Sequence, residues 1–145
     1  MIHFNINRVV AGLLFFSVFT LFSMSGHAAQ GSWDASRAGV TLNYRGEVAS
    51  SPAFLPSPAQ GVMHDSKVTI IYWRSETDRP APPGLFIKLC TAQRCVNVDN
   101  GVGQTQAFSG TPANSEFRFV YYIEGGGRLI PAFNVRSIDL AVNYE

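Results

Sequence analysis

The sequence predicts an all-β protein: a single-domain β-sandwich of about seven or eight mostly antiparallel strands, following an N-terminal export signal. Three observations carry this. Apolar and polar residues alternate at period two through much of residues 40–144. Gly and Pro clusters punctuate the alternation. No stretch beyond residue 28 shows a 3.6-residue period. A small barrel is the alternative way to close so many short strands.

Residues 1–8 carry one cation, Arg8, and residues 9–24 are apolar and uncharged apart from Ser17, Thr20 and Ser23. Ser25-Gly26-His27-Ala28-Ala29 then supplies small residues for a cut after Ala28, or after Ala29. That order is a secretory signal peptide over residues 1–28, leaving a domain over 29–145. The competing reading is a membrane anchor. The apolar run is short for the roughly 20 residues a span needs, and a cleavage site follows it. No later segment is apolar for long enough to span a bilayer, so no membrane span is expected in the mature protein.

Residues 40–45 alternate, with Val40, Leu42 and Tyr44 inward between Gly39 and Gly46. Residues 49–61 contain Pro52, Pro56 and Pro58 and read as an irregular connection. Residues 67–74 are β-branched and aromatic with both faces largely apolar, which places that strand centrally. Residues 75–84, with Pro80, Pro82 and Pro83, form a loop. Two strands, 85–90 and 95–98, flank a four-residue hairpin loop. Asn100-Gly101-Val102-Gly103 is a turn, and residues 104–108 a short strand. In residues 116–124, Phe117, Phe119, Tyr121 and Ile123 face inward. Gly125-Gly126-Gly127 breaks the chain before two last strands, 129–136 and 138–144, the latter with Ile138, Leu140, Val142 and Tyr144 inward.

The two cysteines sit in the hairpin. Cys90 and Cys95 fall on the face opposite Ile87 and Leu89, at paired positions about 4.5–5.5 Å apart between Cα atoms, which a disulfide can bridge. Closing so short a loop stabilises by about 2 kcal/mol, and the bridge also pins the register. A redox pair is the competing reading. It lacks the C-x-x-C spacing and any helix start that would lower a thiol pKa.

Composition excludes more than it names. The 145 residues carry a formal charge of +1, and without Arg8 the ten basic and ten acidic side chains cancel. No field is left to hold a nucleic-acid backbone. His64 is the sole histidine after residue 28, and His64-Asp65-Ser66 reads as a polar turn, since adjacent residues cannot build an oriented triad. Gly125-Gly126-Gly127-Arg128 lacks the phosphate-loop pattern and precedes a strand, not a helix. No catalytic, cofactor or metal residues are expected.

Several segments resemble the flagellar protein FlhE family. They are Gly39-Val40-Thr41-Leu42-Asn43-Tyr44-Arg45-Gly46, Gly61-Val62-Met63, Trp73-Arg74, and Pro83-Gly84-Leu85 leading into the cysteine hairpin. Phe117-Arg118-Phe119-Val120, Gly125-Gly126-Gly127-Arg128-Leu129-Ile130-Pro131-Ala132 and Val142-Asn143-Tyr144 complete the set, in order along nearly the whole mature chain. The resemblance implies a periplasmic accessory protein of flagellar assembly, encoded with components of the flagellar type III export gate. It implies a non-enzyme that prevents proton leakage through the export apparatus. The implied means is a plug-like or chaperone-like contact with export-gate or rod proteins on the periplasmic side. Two alternatives stay open. One is a secreted saccharide- or peptide-binding sandwich that uses exposed aromatics such as Trp33 or Tyr122; the other is a secreted hydrolase or hydrolase inhibitor.

One surface is singled out for a partner. If the Phe117 and Ile138 strands pair, residues 125–128 form an exposed turn at one end of the sandwich. Three glycines let a partner's backbone approach closely, and Arg128 presents five donors beside them. The competing role is an ion pair of Arg128 with Glu124 and a bulged turn. Arg74, in the Trp73-Arg74 motif, is the second candidate contact.

Overall fold

The structure, a computed structural model, describes residues 30–145. The signal peptide expected over residues 1–28 lies outside them. Among the described residues the strands are β1 (Gly31–Ala38), β2 (Thr41–Tyr44), β3 (Val48–Ser50), β4 (Val68–Thr77), β5 (Leu85–Cys90), β6 (Cys95–Val98), β7 (Val102–Thr105), β8 (Arg118–Ile123) and β9 (Arg128–Tyr144). One turn of 3-10 helix covers Pro58–Gln60. The all-β sandwich is therefore as expected, with nine strands. The large sheet has the order β1-β9-β4-β7, with β2 also on β9, and the small sheet the order β3-β8-β5-β6. Every ladder is antiparallel.

The inner faces follow from alternation. Phe117, Phe119, Tyr121 and Ile123 all point inward from β8 and its approach, and Ile87 and Leu89 from β5. They meet Trp33, Leu42, Ile71, Trp73, Phe133, Ile138, Leu140 and Val142 from the large sheet in one core. Phe54 and Phe108 enter from connections and pack edge-on against Phe119 and Phe117, with ring centroids 5.7 and 5.5 Å apart.

Several expectations are corrected, two of them by bulges. Residues 128–144 are one strand of 17 residues, not two. Its inward residues change phase from Phe133 and Val135 to Ile138, Leu140 and Val142 because Arg136 is the extra residue opposite the Glu76–Thr77 step. The phase change that reads as a break in the sequence is a bulge inside a continuous ladder. Tyr44 is 53% exposed instead of inward, since the register slips between Leu42 and Tyr44. β4 is central as expected, between β9 and β7, yet its outer face shows Tyr72 and Arg74 to solvent and it runs on to Thr77. Val102 and Gly103 open β7 where a turn was expected, and that strand ends at Thr105; Phe108 is a core residue beyond it.

Two elements were not anticipated. β1 spans residues with a weak apolar signal, but its inward Trp33 is 1% exposed and its indole N–H donates to the Ala113 carbonyl at 2.7 Å. The Pro-rich segment begins with β3 and then drops Phe54 into the core through an isolated bridge to Phe117. Between β1 and β2, Gly39 lies so close to β9 that an added Cβ would sit 2.0 Å from the Val135 carbonyl oxygen. Only glycine lets one strand segment pass directly into the next along the same neighbour.

Candidate functional site

The residues singled out for a partner meet a second chain segment. The expected pairing of the Phe117 and Ile138 strands does not occur. β8 pairs with β3 and β5, and β9 pairs with β1, β2 and β4. Residues 124–127 thus form a crossover between sheets, not a hairpin turn. A second crossover, Arg45 to Glu47, runs from β2 to β3 at the same end. The two are laced together: Arg45 N–H donates to the Gly127 carbonyl at 2.8 Å, and Gly46 N–H to the Ile123 carbonyl at 2.7 Å. The result is a double corner closing one end of the sandwich.

Glycine is required at this corner. Gly125 and Gly127 have φ of 105° and 95°, so side chains there would be strained. Around Gly126 and Gly127 a Cβ would meet nothing within 4 Å, so the surface is bare as expected. The arginine that holds the corner is Arg45, whose guanidinium donates to the carbonyls of Pro83 and Glu124. Sequence reasoning passed over this role, because an arginine between Tyr44 and Gly46 carries no signal of the carbonyls it will meet.

Arg128 is left for other uses. It opens β9 opposite Tyr44 and is exposed. The expected ion pair with Glu124 does not form; no ion pair among the described residues involves Arg128. Beside it stand Ile130, 85% exposed, and Tyr44. The corner therefore presents a cation, an aliphatic side chain and an aromatic ring around bare backbone.

Arg74 does not join this group. It pairs with Asp139 at 3.7 Å on the outer face of the large sheet, eleven residues along β9 from Arg128. At about 3.3 Å per residue, that is on the order of 30 Å of strand path. Cys90 and Cys95 are disulfide-bonded, with Cα atoms 4.0 Å apart, at paired positions of β5 and β6 as expected. Trp33 is a core residue, which removes it as an exposed binding platform. Tyr122 is half-buried on the outer face of the small sheet, stacked with Phe86.

The described residues contain no group of three or more His, Cys, Asp or Glu side chains placed to hold a metal. Among them, no helix is long and apolar enough to cross a membrane. One titrating group is displaced: burial pushes the Tyr121 phenol well above its ordinary range, a rise only partly offset by the Ser75 hydroxyl. Tyr121 lies in the core and so is a feature of packing.

Known proteins resemble the chain over most of its length. The family model for flagellar protein FlhE matches residues 39–145. The flagellar protein FlhE of Salmonella typhimurium is 46% identical over 127 residues, which cover 86% of this chain and 94% of the relative. The Escherichia coli K12 protein of the same name is 42% identical over 119 residues, covering 81% and 88% respectively. That of Yersinia enterocolitica is 36% identical over 138 residues, covering 95% of each. A crystal structure of FlhE superposes with a TM-score of 0.73 at 44% identity, covering 81% of this chain and 99% of that one.

Proposed function

The chain belongs to the FlhE family of flagellar proteins, and from that premise we propose that it works in the periplasm, after removal of residues 1–28, as an accessory that limits proton leakage through the flagellar type III export apparatus. It does so by contact with export-gate or rod proteins on the periplasmic side, without a reaction of its own. The observation that supports contact is the double corner. Arg128, Ile130 and Tyr44 crowd an exposed end where Gly126 and Gly127 offer bare backbone. An arginine fork suits a carboxylate or a pair of carbonyls, and the two apolar groups supply area that a partner can bury.

The test is internal pH in a null strain. When external pH falls, null cells acidify faster than wild type, and only while the export apparatus is present. The wild-type gene restores the slower rate. Arg128→Ala is exported, melts normally and leaves acidification at the null rate. A form lacking residues 1–28 does not rescue. Null cells that hold their internal pH, or rescue by the form lacking residues 1–28, would overturn the reading. Full rescue by Arg128→Ala removes the corner from it.

A further inference from the structure

The outer face of the small sheet carries a second surface with its own chemistry. Across β3, β8 and β5, Val48, Tyr122 and Phe86 sit at paired register positions, so three apolar side chains form one row. Val48 is 63% and Phe86 51% exposed, and the Phe86 and Tyr122 rings stack with centroids 6.4 Å apart. The next row is Val120, Lys88 and Asn97. These six residues line a shallow groove of about 570 Å³. The core is complete beneath it, and among the described residues no third layer covers it. A contiguous apolar patch of this kind on a sheet face marks a contact surface.

The charge in the groove says what covers it. Lys88 is the one ionic side chain lining it, and no ion pair among the described residues engages it. Glu116, in the neighbouring depression beyond Val120, is already held by Arg118 at 2.6 Å. A second copy of this chain fits poorly, since laying groove on groove sets Lys88 against Lys88, the one ionic side chain that lines each. An anionic membrane fits poorly too, since one lysine contributes only about 1 kcal/mol at such a surface. We propose that this groove docks an extended segment of a partner protein carrying an apolar side chain and a carboxylate two residues apart. The carboxylate meets Lys88 and the apolar group meets the row of Phe86, Tyr122 and Val48. The spacing follows from β5, where Phe86 and Lys88 point the same way about 7 Å apart, as alternate residues of any extended chain do.

The inference rests on the reading of the protein as one that acts by contact. Its test is a binding measurement in solution, so its failure leaves the internal-pH result untouched. A random dodecapeptide library displayed on phage is selected against protein purified from the periplasm, and the enriched peptide is synthesised. The expected consensus is an apolar residue, any residue, then Asp or Glu. Lys88→Glu and Phe86→Ala each weaken that peptide about tenfold or more, as truncated anchors of an interface do. Lys88→Glu in turn binds a peptide whose acid is replaced by lysine. Both residues are exposed, so both variants melt like wild type. A consensus without an acid, or affinity unmoved by Lys88→Glu, would overturn the proposal. So would concentration-dependent dimerisation abolished by Phe86→Ala, or binding to anionic vesicles lost in the same variants.

Discussion

Outward from β1, β9 and β4, the large sheet shows solvent Ser32, Asp34, Ser36, Asp139 and Arg74, with Tyr72 as the one large ring among them; outward from β3, β8 and β5, the small sheet shows Val48, Val120, Tyr122, Phe86 and Lys88. The inner faces of the two sheets are alike, since each contributes aromatic and aliphatic side chains to the same core. Packing therefore explains the inner faces and leaves the outer difference unexplained. A solvated sheet needs the polar face that the large sheet has. An apolar outer face adds only the small stabilisation of cross-strand pairs, about 0.2–1 kcal/mol each, when no third layer covers it. The difference teaches that the small sheet is the one shaped for contact. The double corner adjoins it, because β3 and β8 both lead into that corner.

The largest effect separates inside from outside on one strand. β8 turns Tyr121 into the core and Tyr122 out to the groove. Burial holds the Tyr121 phenol neutral and raises its pKa above the ordinary value of 10.0. The unfolded chain ionises near that ordinary value, so above it the folded state keeps a proton that the unfolded state has released. Stability accordingly falls as pH rises from about 10 through the folded-state value. Denaturant unfolding at pH 8, 10 and 12 should show a steeper alkaline loss for wild type than for Tyr121→Phe, by about 2.5 kcal/mol at pH 12. Equal slopes would mean that the inner face at Tyr121 is wet.

The disulfide gives a smaller effect with a sharper consequence. It joins Cys90 and Cys95 on the outer face of the small sheet, two pairs along the ladder from Lys88 and Asn97. Cys90→Ser with Cys95→Ser should cost about 2 kcal/mol, seen as a modest fall in Tm with folding retained. β5 is also held by β8, so a slip of one residue in that hairpin would move the edge strand β6 and exchange Asn97 for Val96 or Val98 beside Lys88 on the outer face. The double variant should thus lose more peptide affinity than stability. Complete unfolding would show that the bridge carries the hairpin, and an unchanged Tm would show that the ladder needs no clamp.

Much of the inner architecture was legible, and the limits have physical causes. Alternation in β8 and the cysteine hairpin is strict, so Phe117, Phe119, Tyr121 and Ile123 were assigned inward correctly, and Ile87 and Leu89 were placed together on the face that proves to be the buried one. A pattern of period two cannot register a bulge, so β9 was divided at Arg136 and Tyr44 was turned inward. β1 was missed because Ala35 and Arg37 are poor markers of a buried face, though Trp33 against Ser32 and Asp34 held the signal. The bare, exposed glycines beside Arg128 were read from composition alone. Their setting was not, because strand pairing is non-local: nothing near residue 125 says that β8 and β9 belong to different sheets. The groove was out of reach for the same reason, since Val48, Phe86 and Tyr122 come from three distant segments.

The smallest effect is expected on the polar face, and it decides whether the contrast between faces holds. Arg74 and Asp139 approach to 3.7 Å with side chains 63% and 44% exposed. Such pairs contribute under about 1 kcal/mol, because water screens them and two long side chains must be held in place. Asp139 also keeps a second partner, since the Ser36 hydroxyl donates to it from β1. Arg74→Ala should therefore shift Tm only slightly, and less in 0.5 M salt than at low salt, by about the span that screening removes. It should also restore the null strain fully, unlike Arg128→Ala, because Arg74 sits on the outer face of the large sheet eleven residues along β9 from the corner that Arg128 occupies. Loss of function in a normally melting Arg74→Ala would break the comparison. The polar face would then be a contact surface as well, and the protein would be held from both sides.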